Sequence, residues 1–513
     1  MSTARRSASH GTIRRAIIAL LCAAGGGVAA PAAALTHCEV AEIRWIATGQ
    51  NFDPSQTHTP GGAARPVSED RAEVHWWPQV RQAQLRWEVR THYPFSATFR
   101  YLEQLTADGG VVTGRDGFRS AEGAVSPARR AVRFSDLWLR VPLFWPGRSA
   151  GSSREISLAG TRWTLSVARD QTSDAAGGVP LVASARQHDW PRGDVPHEIA
   201  YSGWREVAGL SMPTRIEQRL GGQLLRRERL TDIAVTPVET VDPDCAPPAR
   251  PKSAEAPVWI RAAGHWVTRR LAMGAGADRD QTGNVAFEER ADGIFHVVGG
   301  SHHALVVVDD RGLTLVDAPL HPARSETLLR MLDERWPDRP LRRVVVTHHH
   351  SDHSGGLMPL LRTGAELVVG REAEGFFRDV IARGRDVGDV AVRTVSGRER
   401  IATDARALTV INVPNDHAAG MLAVRVDDAA LTFVADLYSP GREAQSPQLA
   451  RQFYSALSWH GLASGDLIGS HGSGTQPMGA LRAYLAEQFP DWMVPAPDGT
   501  GPDARTADPD GPS

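Results

Sequence analysis

The stretch from Thr347 to Gly356 constrains this chain more than any other. It reads Thr-His-His-His-Ser-Asp-His-Ser-Gly-Gly, so that His348, His350, Asp352 and His353 form the pattern His-x-His-x-Asp-His. The apolar run Val344-Val345-Val346 before it reads as a buried strand, and Gly355-Gly356 after it marks a turn. Imidazoles at the junction of strand and loop have a rigid base and a free edge, which suits a metal site. On an extended chain residues i and i+2 face the same way, so the spacing predicts that His348 and His350 grip one ion together. Asp352 and His353 lie past the strand, where the loop can turn them toward a second ion. Nitrogen and carboxylate donors together suit zinc best, with manganese or iron as alternatives.

Three further donors follow apolar strands downstream. His417 comes after Leu408–Val413, Asp436 ends Leu431–Ala435, and His471 follows Asp466–Ser470. Each alone reads as an ordinary loop residue. Together with His348, His350, Asp352 and His353 they make seven donors, enough for two ions bridged by one carboxylate. His349 lies between the two motif histidines. His302, His303 and Tyr438 read as loop residues within reach of a substrate over the metals.

A chain of 513 residues exceeds one ordinary core, and two domains are expected. Residues 35–240 read as β-rich. Leu85, Trp87 and Val89 alternate with polar residues, as do Leu137, Leu139 and Val141, and Trp163, Leu165 and Val167. Asp108-Gly109-Gly110, Pro146-Gly147 and Gly221-Gly222 separate the runs. Trp76-Trp77 and Tyr93-Pro94-Phe95 read as core rather than as the lining of a groove. No metal cluster or nucleophile–base pair is visible in this part. Residues 241–284 hold a proline-rich linker and a short helix around Trp259–Trp266. Residues 285–493 mix strands with amphipathic helices, among them Ser325–Trp336, 371–383, 447–459 and 477–489. The tail 494–513 is Pro, Gly, Asp and Thr without periodicity and reads as disordered.

Residues 1–34 read as an export signal: Arg5, Arg6, Arg14 and Arg15 form a basic head, an apolar run follows from Ala16, and Ala32-Ala33-Ala34 offers a cleavage site. Removing four positive charges from a net −2 leaves −2 − 4 = −6. A periplasmic or secreted protein is expected, with no membrane insertion after cleavage. The remaining cysteines, Cys38 and Cys245, flank the first domain and can pair in an oxidising compartment. The acidic balance gives no electrostatic case for nucleic acid. The single lysine, Lys252, lies in the proline-rich segment, which argues against Schiff-base chemistry and a phosphate-cradling lysine loop. The expected partner is a small-molecule substrate.

Two resemblances add to this. Tyr201–Gln218 is similar to the late strands of the lipoprotein-carrier type of half-barrel, which implies an antiparallel, half-barrel-like first domain. Residues from about 285 to 490 resemble the metallo-β-lactamase superfamily through the His-x-His-x-Asp-His motif, with Asp317, His417, Asp436 and His471 in the expected order. The resemblance implies an α/β fold, an αββα sandwich with its site at one edge. It implies that His348, His350 and His417 hold the first metal, that Asp352, His353 and His471 hold the second, and that Asp436 bridges. Asp317 would orient a ligand by hydrogen bond, and His349 would point away. Two zinc ions are implied, with Mn2+ or Fe2+ as alternatives, and a water between them that loses its proton near neutral pH. Asp352 could also shuttle the proton to the leaving group.

The match departs from the pattern at Asn415-Asp416, where the family often has Pro-Gly. A cysteine ligand is absent, since Cys38 and Cys245 are far from the motif in sequence, and Asp436 points to the glyoxalase II, lactonase and sulfatase-like branches. The expected activity is hydrolysis of an ester, lactone, thioester, sulfate ester or related substrate. The alternatives are a β-lactamase proper or a mononuclear iron oxygenase on this fold, and, from another class, a periplasmic carrier with a vestigial metal domain.

Overall fold

The computed structural model describes residues 35–93, 96–117, 122–145, 154–167, 181–241, 245, 284–384, 386–402, 406–442, 445–472 and 474–492. The export signal, the Pro146-Gly147 turn, nearly all of the linker with its helix, and the tail lie outside these residues.

Twelve described strands between Val40 and Pro237 make one antiparallel sheet. The first, Val40–Asp53, lies at its centre, between the second (Arg65–Trp77) and the last (Gln223–Pro237). The chain meanders outward to one edge at Gly123–Ala124, restarts at the opposite edge with Arg154–Leu158, and meanders back. The alternations at Leu85–Val89 and Trp163–Val167 are strands Gln82–Thr91 and Thr161–Val167. Cys38 and Cys245 form a disulfide, with Cα atoms 5.8 Å apart, that ties the start of the first strand to the chain beyond the last.

Leu137, Leu139 and Val141 are not on a strand. They belong to or follow a helix, Pro127–Arg140, that joins the two halves of the sheet. Ser126 caps it, its side chain accepting from the Arg129 amide, and Pro127 begins its first turn. The alternation misled because the helix is buried nearly all round. Leu137, Trp138 and Leu139 share a core with Trp45, Trp76, Trp87 and Tyr201 of the sheet. The intervening charges also point inward: Arg129 and Arg133 pair with Glu103, and Arg140 with Glu228. Removing one member of such a buried pair costs about 3–5 kcal/mol.

From Ala286 the chain builds two further sheets. Seven strands between Ala286 and Val395 form the first, antiparallel through its first four strands and parallel through the rest. Six strands between Arg398 and Pro477 form the second. The two pack face to face: Leu305, Val307, Val345 and Val368 of one meet Leu408, Val424, Phe433 and Ile468 of the other. Helix Pro322–Arg335 covers the outer face of the first sheet through Leu328 and Leu332. Helices Pro447–Trp459 and Met478–Gln488 cover the outer face of the second. The order is helix, sheet, sheet, helix. Strands Glu366–Gly370, Val392–Val395 and Arg398–Ala402 are additions to what the apolar patterning indicated. Among the described residues no helix is long and apolar enough to cross a membrane.

Candidate metal centre

The seven donors predicted from sequence lie together, on loops that leave strand ends in both sheets of the sandwich. His348 and His350 are not on the strand, which stops at Val345; they occupy the loop after it, and Ser351–Ser354 turns into a short helix. The grip therefore comes from loop geometry and not from the two-residue repeat of an extended chain. Gly355 and Gly356 let this turn pack tightly. A Cβ at Gly355 would lie 2.1 Å from the Leu320 carbonyl oxygen, and one at Gly356 2.3 Å from Ser325 Oγ.

Each imidazole has one nitrogen held by the protein and the other turned to a common centre. Thr347 Oγ1 lies 3.1 Å from His348 Nδ1. His350 Nε2 donates to the Thr57 carbonyl at 2.9 Å. Asp317 Oδ2 takes His353 Nδ1 at 3.0 Å, and the same carboxylate accepts from the Thr347 amide and hydroxyl. His471 Nδ1 sits 3.2 Å from the Ser301 carbonyl, and Tyr93 Oη 3.4 Å from His417 Nδ1. Holding one ring nitrogen selects the tautomer that offers the other to a metal. Asn415 sets the turn before His417: its Oδ1 accepts from the amides of His417 and Ala418, both at 2.8 Å, a turn built on the side chain.

Asp436 is the hub. Its Oδ2 lies 2.9 Å from His417 Nε2 and 3.5 Å from His348 Nε2; its Oδ1 lies 2.8 Å from His471 Nε2 and 3.1 Å from His353 Nε2. These spacings suit the edges of coordination polyhedra with metal–donor bonds of about 2.0–2.2 Å. Yet His348 Nε2, His350 Nδ1, His353 Nε2, His417 Nε2 and Asp436 Oδ1 are buried without an aligned hydrogen-bond partner. Orphaned buried polar atoms are costly unless something binds them, and this set fits divalent cations. Three overlapping donor groups lie at the centre: His348, His350, His417 and Asp436; His302, His353 and His471; and Asp352, His353 and Asp436.

The electrostatics at Asp436, His348 and His350 fit the same use. Burial would raise the Asp436 carboxyl, but the His353, His417 and His471 imidazoles hold it well below the usual carboxylate range. Burial pushes His348 down to about 4, helped by His353, so it stands neutral and ready to ligate. Burial likewise lowers His350 well below its ordinary value. His353 goes the other way: burial would lower it, but Asp436 and Asp317 raise it well above.

Sequence reasoning did not foresee that the β-domain reaches this centre. The loop after its first strand, from Ser55 to Gly62, lies against the motif. Asp53 shapes the loop by accepting from the Ser55 amide and hydroxyl. Gln56 Nε2 then donates to Asp352 Oδ1 at 2.7 Å, Thr57 Oγ1 lies 3.0 Å from His349 Nε2, and Ser351 Oγ meets Ser55 Oγ at 2.9 Å. Ala419 N donates to His58 O. Arg65 lies over the Tyr93 ring and donates to the His417 carbonyl. Tyr93 is thus part of the centre and not ordinary core, and His349, turned from the hub, serves the domain contact. Trp76 is core. Of the other loop candidates, His302 is buried beside Asp352, with its Nε2 3.1 Å from Asp352 Oδ2. His303 packs on His296, and Tyr438 packs in the outer core of the second sheet, its hydroxyl on Gln476. The doubled histidine at 302–303 was the only sequence signal for His302.

A family model described as the metallo-beta-lactamase superfamily matches residues 297–437. A curated relative, the alpha subunit of 2,4-dinitroanisole O-demethylase from Nocardioides sp. (strain JS1661), is 26% identical over 153 residues, 29% of this chain. The match spans 44% of that protein's length, less than half. Among solved structures, a metallo-beta-lactamase from Pontibacter korlensis is 18% identical with a TM-score of 0.30, covering 39% of this chain and 97% of that one. A stereoselective inverting sec-alkylsulfatase from Pseudomonas sp. is 17% identical with a TM-score of 0.32, covering 45% of this chain and 43% of that one.

Proposed function

We propose that the C-terminal part of the chain, where residues 297–437 match the metallo-beta-lactamase superfamily model, is a metal-dependent hydrolase that works with two zinc ions on an ester, lactone, thioester, sulfate ester or related bond, in the periplasm or outside the cell. The observation that carries this is Asp436, whose two oxygens face different imidazole sets. In this reading His348, His350 and His417 hold one ion, Asp352, His353 and His471 hold the other, and Asp436 joins them. Mn2+ and Fe2+ suit the same donors less well. Two such ions lower the pKa of a water and polarise the oxygen of the bond it attacks.

The chain's own groups do the rest. Asp317 keeps His353 turned inward. Thr57 keeps His350 in the tautomer that frees Nδ1. Burial would raise Asp352, but the adjoining His302 and His353 imidazoles keep it well below the usual carboxylate range, so it enters ionised and can take a proton and pass it to the leaving oxygen. Gln56 aims that carboxylate. The relative's printed activity, O-demethylation, adds oxygen–carbon bonds of activated ethers to the candidates. Export is supported by the basic and apolar pattern of residues 1–34 and by the Cys38–Cys245 disulfide, a bond at home in oxidising compartments.

Metal analysis of purified protein should find two zinc per chain, and a screen over lactams, lactones, thioesters, sulfate esters, phosphodiesters and activated aryl ethers should find a metal-dependent activity. One iron per chain, or no hydrolysis that a chelator abolishes, would sink the two-zinc hydrolase.

A further inference from the structure

The structure holds a second ring of three imidazoles, of which the seven-donor scheme uses only two. His302, His353 and His471 offer nitrogens that all lie within 4.8 Å of one another. Their ring centroids are 4.4 Å apart for His302 and His471, 5.1 Å for His302 and His353, and 5.5 Å for His353 and His471. The first-ion set has nearly the same dimensions: 4.5 Å for His348 and His350, 4.6 Å for His350 and His417, and 5.1 Å for His348 and His417. In both sets the rings meet steeply, at 67–82° in one and 61–74° in the other. Three ring nitrogens this close together can share one ion, as in three-histidine zinc sites.

We propose that His302 is a direct ligand of the second ion, so that each ion carries three imidazoles and Asp436 joins two matching halves. This rests on the two-ion reading above. His302 has the other marks of a ligand. It is only 2% exposed. Its Nδ1 meets Ser301 Oγ at 2.8 Å, which leaves Nε2 for the centre, as in His348, His353, His417 and His471. The backbone is held too: the Arg324 guanidinium donates to the His302 carbonyl, and the His303 amide donates to the carbonyl of Ser470, next to His471. The 3.1 Å between His302 Nε2 and Asp352 Oδ2 fits two donors sharing one ion as well as it fits a hydrogen bond. Asp352 does not need His302 to hold it, because Gln56 takes its other oxygen at 2.7 Å. A nitrogen-rich second site has a chemical consequence. Three imidazoles favour zinc over manganese or magnesium, and they leave Asp352 freer to handle protons.

The rival role for His302 is a hydrogen bond to Asp352 with no bond to metal. Coupling between cadmium-113 and nitrogen-15 in full-length protein, loaded with cadmium and labelled at histidine, separates the two. Three coupled imidazoles on each cadmium are expected. His302→Gln should remove one coupling from one ion only and weaken that ion at least about tenfold in chelator competition, while His303→Gln keeps all six. Two imidazoles on the second cadmium, with the His302 ring uncoupled, would overturn the inference and leave the two-ion reading standing. A single bound cadmium would remove both. The unsubstituted protein alone decides the count if His302→Gln does not fold.

Discussion

Gln56 of the β-domain and Asp352 of the metal motif, 296 residues apart, are joined by a 2.7 Å hydrogen bond from the amide nitrogen to the carboxylate. Tyr93 donates to Gln56 Oε1 at 3.0 Å, which turns the amide so that its nitrogen faces Asp352. Partners of this kind typically alter metal affinity by about 10–100-fold. Gln56→Ala should weaken the ion that Asp352 attends by that amount and leave the other unchanged, read by chelator competition. Tyr93→Phe should act in the same direction and less. Gln56→Glu should be worse than either, because it sets a second carboxylate against the first. Equal affinities in all three variants would show the domain contact to be packing alone.

The domain contact also bears on what was legible in the sequence. Metal ligands sit at a fixed short spacing beside apolar strands, so His348, His350, Asp352 and His353 announce themselves. Gln56, Thr57 and Tyr93 carry no such mark: each is an ordinary polar residue whose role comes from the docking of one domain on the other, and no local periodicity reports that. The helix Pro127–Arg140 was hidden for a different reason. Its charged residues are paired inside the fold, so the apolar-and-polar pattern carried no information about which side faces water. The β-strands of the first domain and the three longest helices of the second were visible because each has one buried and one wet face.

His296 predicts an acid limb of stability apart from the metal ligands. Burial pushes it down to about 4, and the Gly469 carbonyl accepts from its Nε2; His303, Arg290 and Glu288 are the other ionisable groups that act on it. A histidine lowered on folding binds its proton more weakly in the native state than in the unfolded chain. Stability is therefore unaffected above about pH 6.5, falls as pH drops from there toward 4, and loses nothing more below. The upper limit is about 3 kcal/mol. In urea unfolding of metal-free protein, His296→Gln should flatten the difference between pH 7 and pH 4.5. An unchanged difference would mean that His296 is protonated as readily in the fold as outside it.

The disulfide makes a separate prediction for the β-domain. Cys38 and Cys245 are 207 residues apart, and closing a loop of that size restricts the unfolded chain by about 5 kcal/mol in the chain-entropy view. Cys38→Ala with Cys245→Ala should lower the unfolding midpoint markedly while leaving metal content at saturating zinc unchanged, since neither cysteine is among the donors of the centre. Calorimetry on oxidised and doubly substituted protein reads the difference. A free-thiol titration that finds two reactive thiols in unfolded, unreduced protein would remove the premise.

The last prediction concerns Asp436. His350 faces the hub from the first set and His353 from the second, each with its outer nitrogen held by a different partner, Thr57 and Asp317. His350→Ala should therefore deplete one ion and His353→Ala the other. Asp436→Ala should deplete both, because its two oxygens serve the two sets. The fold should survive each change. The sandwich core between Leu305, Val345, Val424 and Phe433 contains none of these side chains, so circular dichroism should match the parent protein. His353→Ala has an added effect: it leaves Asp317 without its imidazole, although the Thr347 amide and hydroxyl still donate to that carboxylate. Rates of hydrolysis on whichever substrate the screen identifies should fall by orders of magnitude in all three, since one ion activates the water and the other the bond it attacks. Two ions and full activity in Asp436→Ala would mean that no carboxylate joins the pair. The centre would then be two adjacent sites, and the Asp436 spacing would need another cause.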